Sequence, residues 1–512
     1  MKRFLIPLLL VAISSTTWAQ SLEDKFEQFK REQNATFDQF VSDKQTEYDA
    51  FRKRVNDEYA AFMEKAWSEF KGQPAVQPKP QPKVEPVVYE EKGQIDGEKE
   101  RKRGKRNEEK KKEEEKQIAV EPEVVVVPQA APAPEPIAPV QPKEDKQKPR
   151  KEKRVSVSFY GTIVSVNFPD PDGFKLASLD EKQLAEAWKQ LSEAKYDVTV
   201  TNVLAIRKSL QLCDWGYLRM LQEVTNKHYG KSNEATFMQA FLMTQSGYQV
   251  RLGKDNKKLY LLIASKFDLF DYSYFTIEGK TFYAIDCKGI NLYICPAFVA
   301  KEQALSLQIA QTQKLNQEPT EKRKLTSKKG LTASVCVNKN QIDFYDKYPK
   351  GYLNKDVNTA WVAYANTPMD PKIKEQLYPT FEKAIANMSQ KEAVNLILNW
   401  VQTAFVYEYD DKVWGEDRAF FPSETLYYPY CDCEDRSILF SRLVRDLLDL
   451  PVVLLYYPGH LATAVAFTED VQGDYLTYKN KKYVVCDPTF IGAPVGKTMT
   501  GMNNETAKIV VL

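Results

Sequence analysis

The chain has 512 residues, 43% of them hydrophobic, with 72 basic and 70 acidic side chains and a net charge of +2. That length suits two or three domains, and so even a charge balance excludes selection of nucleic acid by an overall electrostatic field. Residues 1–19 read as an export signal: Lys2 and Arg3, an apolar stretch from Phe4 to Ile13 too short to span a bilayer, and a cleavage site at Thr17-Trp18-Ala19. No cysteine stands at the cut to carry a lipid, and no later segment reads as a membrane span, so the mature chain is expected in the periplasm or outside the cell. Seven cysteines in an oxidising compartment leave one free or paired between chains, and Cys287 with Cys295 could close a short loop.

Residues 20–71 carry aromatics at an 11-residue interval: Phe26, Phe37, Tyr48, Tyr59 and Phe70, and beside them Phe29, Phe40, Phe51 and Phe62. Eleven residues make about three helical turns, so both series share one face of a long amphipathic helix. Such a stripe needs a partner surface, and self-association through residues 21–71 is the favoured reading over docking elsewhere. Residues 72–154 are rich in Pro, Lys and Glu and read as a disordered linker. The run Glu98 to Lys116 within it is read as solvated, with contact of Arg101 to Arg106 to an anionic polymer or lipid as the alternative.

Globular sequence begins near residue 155. Val155, Val157, Phe159, Gly161 and Ile163 alternate like one strand. Ser178 and Glu181 predict a capping box for a helix to about Ala194, with more helix to about Lys227 and another over 233–245, ended by Gly247. Strands are expected at 248–252 and 259–264, then a hairpin over 274–286 turning at Glu278-Gly279. Residues 297–330 are polar and basic, expected as an arm with a short helix from about Ala300. The last domain runs over 331–512: a helix capped by Ser389 and Glu392, a polar loop to Tyr430, a helix over 434–448, strands at 452–456 and 462–467, and a hairpin over 475–487 turning near Asn480.

Chemistry concentrates in that last domain. The chain has two histidines, and His460, in Pro458-Gly459-His460, stands 27 residues from both Cys433 and Asp487. A thiol at a helix start, an imidazole at a strand start and a carboxylate at a strand end can form a nucleophile, its base and the group that orients the base. The helix N-terminus favours thiolate, and its N–H groups can face an oxyanion. Each residue also has an ordinary structural reading. Cys431, Cys433, His460 and Cys486 would alternatively make a zinc set, although Cys486 and Asp487, adjacent on a strand, point to opposite faces.

Four pieces, Phe421-Pro422-Ser423-Glu424-Thr425-Leu426, Asp432-Cys433-Glu434-Asp435, Pro458-Gly459-His460 and Asp487-Pro488-Thr489, make residues 390–495 resemble the transglutaminase-like superfamily of papain-type folds. The resemblance implies that Cys433 attacks an amide, His460 is the base and Asp487 orients it, with no metal or cofactor, on a protein or peptide substrate. Trp414 is a candidate for the oxyanion tryptophan of some members, against a plain packing role. Cys431 departs from the glycine common there.

An offset of 201 positions aligns the middle domain with the last: Asp286 falls on Asp487, Ser232 on Cys433 and Leu259 on His460. The fold class expected is therefore α+β. A transglutaminase-like C-terminal domain follows a degenerate copy (155–330) that lacks the machinery. The function expected is hydrolysis of an amide, favoured over cross-linking. The alternative is a non-catalytic structural or binding protein assembled through its N-terminal helix.

Overall fold

The computed structural model describes residues 46–47, 49–78, 85–89, 123–126, 132–137, 152–170, 172–287 and 289–512. The signal, residues 20–45 of the aromatic repeat and most of the expected linker lie outside the described residues. The architecture is mixed α+β, with two six-stranded sheets, each packed against one central helix.

In the first sheet the strands run, across the sheet, Ser68–Phe70, Leu292–Ile294, Val250–Lys254, Leu259–Ala264, Lys280–Ala284 and Tyr274–Ile277. The second reads Val124–Val126, Lys508–Val511, Val452–Tyr457, His460–Val465, Lys481–Cys486 and Tyr475–Tyr478. The order is the same, and the 201-residue offset places Leu259–Ala264 on His460–Val465 and Tyr274–Ile277 on Tyr475–Tyr478. Both central strands are buried along their whole length, as strands covered on two faces must be. The hairpins turn where expected, at Glu278-Gly279 and Lys479-Asn480, all four residues at positive φ, as two-residue hairpin loops require.

The helix Asn233–Gln245 packs on the first sheet and Cys433–Leu448 on the second. The first is apolar nearly all round, with Phe237, Met238, Phe241, Leu242 and Met243 all buried. That pattern marks a helix enclosed by protein. Ser232 caps it by accepting from the Ala235 N–H at 3.3 Å. The helix Gln390–Thr403 has the expected capping box of Ser389 and Glu392.

Several expectations are corrected. The single strand from 155 is a hairpin, Lys153–Phe159 with Thr162–Phe168, because Tyr160 and Gly161 take positive φ and reverse the chain. The helix Glu181–Leu191 is capped by Asp180, whose carboxylate accepts from Gln183 N at 2.9 Å, rather than by Ser178. Residues 300–315 form no helix. They run extended, bridging Tyr248 with Gln303 and Ser265 with Leu305, and bury Leu305, Leu307, Ile309 and Leu315 in the core.

The N-terminal part differs most. The helix over residues 49–63 stops before 71, and Phe70 lies in a strand paired with Leu292–Ile294. Part of its aromatic face is covered by its own chain, while Phe51 stays 41% exposed. Tyr59 stacks on Trp188 at 4.2 Å, Asn56 accepts from the Trp188 indole at 3.0 Å, and Arg52 pairs with Asp197 at 2.8 Å. An apolar stripe buries against the nearest complementary face, and the middle domain supplies one in cis. The expected linker also contributes structure: Val124–Val126 forms the sixth strand of the second sheet, and Gln73, Val76 and Val88 make bridges to Tyr274, Phe270 and Ile491. Val124–Val126 and Gln73 thereby cover edge strands of the two sheets, while Val76 and Val88 pair with loops. No helix among the described residues is long and apolar enough to cross a membrane.

Candidate functional site

Cys433 is the first residue of its helix. Asp435, two residues on, accepts from Asp432 N at 3.1 Å and from Phe420 N at 2.8 Å, fixing the helix entry. One turn later Ser437 Oγ donates to Leu461 O at 2.9 Å. This bond ties the turn after Cys433 to the strand that His460 opens. Pro458 and Gly459 form the two-residue connection that puts His460 there: Tyr457 pairs with His460, and Gly459 has φ 81°. Proline followed by a glycine at positive φ suits a tight reversal.

His460 Nε2 lies 2.9 Å from Asp487 Oδ2. The other carboxylate oxygen, Oδ1, accepts from Thr489 N at 2.8 Å and Phe490 N at 3.1 Å, so the Asp-Pro-Thr turn holds the carboxylate rigid. A neutral imidazole facing an ionised carboxylate must donate from Nε2, which leaves Nδ1 as the basic nitrogen. Nδ1 is buried and makes no hydrogen bond among the described residues. Gln402 braces the loop after Asp487, its amide nitrogen reaching the carbonyls of Asp487, Phe490 and Ala493 at 3.0, 2.8 and 3.1 Å, and its oxygen accepting from Gly492 N at 3.1 Å.

Cys433 and His460 line one pocket with Trp361, Glu434, Tyr456, Gly459 and Leu461. Trp361 stacks on Tyr456 at 5.6 Å. Cys433, His460 and Asp487 are 3%, 2% and 2% exposed, so a proton passed among them is shielded from bulk water. The Cys433 thiol donates to Glu434 Oε2 at 3.0 Å. Trp414 does not line this pocket. It packs edge-on to Phe420 and Tyr428 with the Arg418 guanidinium over its ring, and the pocket's tryptophan is Trp361.

Around the thiol the sequence is acidic. The ligand atoms of Asp432, Cys433 and Glu434 lie within 4.8 Å of one another, as do those of Asp410, Asp432 and Asp435 and those of Asp410, Asp417 and Glu434. These trios have the donor type for a divalent cation. The quartet Cys431, Cys433, His460 and Cys486 is not gathered. Cys431 donates to Val406 O at 3.8 Å, and Cys486 sits in the hydrophobic core on the face away from Asp487. Burial, then the charges of Asp410 and Glu434, push the Asp435 carboxyl well above the usual carboxylate range.

Glu424 is a second buried acid. It accepts from Arg418 at 2.8 Å and from Phe421 N at 3.0 Å. Burial pushes its pKa up to about 7, against the pull of Arg418. A carboxyl raised in the folded state holds its proton where the unfolded chain has lost it. Its contribution to stability is therefore full below about 4.5 and is lost as pH rises to about 7. Glu424→Gln is expected to flatten that part of the pH–stability curve by on the order of 3 kcal/mol. Urea unfolding of parent and variant at both ends of the window checks it.

No motif in the sequence marks Trp361, Tyr456, Gln402 or Asp410 for the site. The first three reach the site only through tertiary packing, whereas the acidic flanks of Cys433 were on view in Asp432-Cys433-Glu434-Asp435. No protein-family model matches this chain, and no curated protein matches it either.

Proposed function

We propose that residues 331–512 form an exported cysteine enzyme of transglutaminase-like type that transfers the acyl group of a protein or peptide amide, with water as the preferred acceptor. The observation that supports this best is the 2.9 Å contact of His460 Nε2 with Asp487, which leaves the basic Nδ1 in the pocket that Cys433 lines. In the reaction, Nδ1 takes the Cys433 proton and the sulfur adds to the amide carbonyl. The N–H groups at the helix start face the developing oxyanion. The imidazolium then protonates the departing amine, leaving a thioester on Cys433. Water, deprotonated by the same nitrogen, releases the acid and restores the thiol. A lysine amine in place of water would form a cross-link.

The middle domain reads as a copy without this chemistry. Ser232 stands at the thiol's place and Leu259 at the base's. Asn233 bolts the two together: its side chain accepts from Leu259 N at 2.8 Å and donates to Lys257 O at 3.0 Å. Asp286 is exposed, has φ 62°, and accepts from Gln222 at 2.7 Å instead of orienting a base.

Unfolded casein tests the reading. New N-termini, or release of free amine, should appear with the intact protein and vanish with Cys433→Ala. Incorporation of a fluorescent primary amine without hydrolysis would reassign the acceptor. Equal turnover by Cys433→Ala would end the enzyme reading and leave the alternative, an assembly protein.

A further inference from the structure

The segment Glu85-Pro86-Val87-Val88-Tyr89 lies along the loop that follows Asp487. Ile491 N donates to Val87 O at 2.9 Å, and Tyr89 N donates to Ile491 O at 2.9 Å. Its side chains alternate as in a strand: Val87 and Tyr89 pack against the cluster of Phe490, Ala493 and Met499, while Val88 is 63% exposed. The Tyr89 ring meets Phe490 edge-on at 5.5 Å. Here a loop rather than a sheet edge offers main-chain pairing plus a socket for every second side chain, the two elements by which extended peptides are recognised in strand addition.

The strip is joined to the candidate site at two points. Gln402 holds the carbonyls of both Asp487 and Phe490, so the strip and the carboxylate that orients His460 are parts of one braced loop. At the other end the Glu85 carboxylate and the Cys433 sulfur both come within electrostatic reach of the Tyr409 hydroxyl.

We infer that this strip is the docking site for an extended polypeptide, with a small apolar residue and an aromatic two positions later, and that residues 85–89 fill it in cis as a displaceable cover. The proposal rests on the acyl-transfer reading only in naming the docked polypeptide as substrate. Among the described residues two backbone hydrogen bonds and one apolar socket hold the cover, so a matching polypeptide at sufficient concentration displaces it. Covalent attachment gives the cover a high local concentration, which sets the threshold for access.

A fluorescent peptide of sequence Glu-Pro-Val-Val-Tyr is the probe, and anisotropy with the full chain is the readout. The double variant Val87→Gly/Tyr89→Gly is expected to bind it saturably, at least about tenfold more tightly than the parent, with Tyr89→Ala in between. Bound peptide should also slow iodoacetamide labelling of Cys433 in the double variant. Equal affinity in parent and variants, or binding to none of them, overturns the proposal, as does binding that leaves Cys433 unshielded. Shielding is steric and needs no catalysis, so failure of the enzyme reading would show separately, as casein turnover indifferent to Cys433→Ala.

Discussion

His460→Ala is expected to slow iodoacetamide labelling of Cys433 at neutral pH by about 100-fold, the lower end of what a positioned base contributes. The reagent reacts with thiolate. In the proposed mechanism Nδ1 takes the thiol proton within the pocket, and Asp487 stabilises the resulting imidazolium through its 2.9 Å contact with Nε2. Without the ring, the ionisable groups that the described residues place around Cys433 in the pocket and its acidic flanks are the Tyr456 phenol and carboxylates, among them Glu434, which accepts from the thiol at 3.0 Å. A carboxylate there favours the protonated sulfur, so the loss should be deepest near neutrality and should shrink as the solution becomes alkaline. Peptide mapping by mass spectrometry separates Cys433 from the other six cysteines. A labelling rate that ignores the substitution would make the imidazole structural.

Gln402→Ala is expected to cost about 3–5 kcal/mol of stability, read from urea midpoints. One buried amide serves the carbonyls of Asp487, Phe490 and Ala493 and the N–H of Gly492. Alanine leaves these groups without their partner and opens a void at the foot of the loop. An unsatisfied buried group costs about 1–3 kcal/mol, and local relaxation recovers part of the total. The same change frees the turn that fixes the Asp487 carboxylate, so labelling of Cys433 should also slow, in a protein still folded at low denaturant. A stability loss with labelling unchanged would show that the loop braces the fold alone.

What could be read from the sequence was local. Ser389 with Glu392 announced a helix start, Glu278-Gly279 and the residues beside Asn480 announced hairpin turns, and all appear where those rules place them. The spacing of Cys433, His460 and Asp487 was also visible, because each sits at the end of such an element. The 201-residue offset, read from few identities, aligns two sheets of the same strand order. In two regions the local pattern, not the polar composition, decides the structure. Leu305, Leu307 and Ile309 alternate with Ser306 and Gln308, a strand-like period inside a polar stretch, and they run extended into the core. Val124–Val126 is a short β-branched run inside an apparent linker, and it completes a sheet edge. Trp361 and Gln402 could not be placed at all, because only the packing of distant helices brings them to the pocket and the loop.

A double-mutant cycle on Cys433 labelling, with His460→Ala, Asp487→Ala and both together, bears most directly on whether sulfur, ring and carboxylate act as one unit. If Asp487 works only through His460, removing it should slow the parent yet change little once the histidine is gone. Two losses that simply multiply, or single variants that label as fast as the parent, would contradict the account.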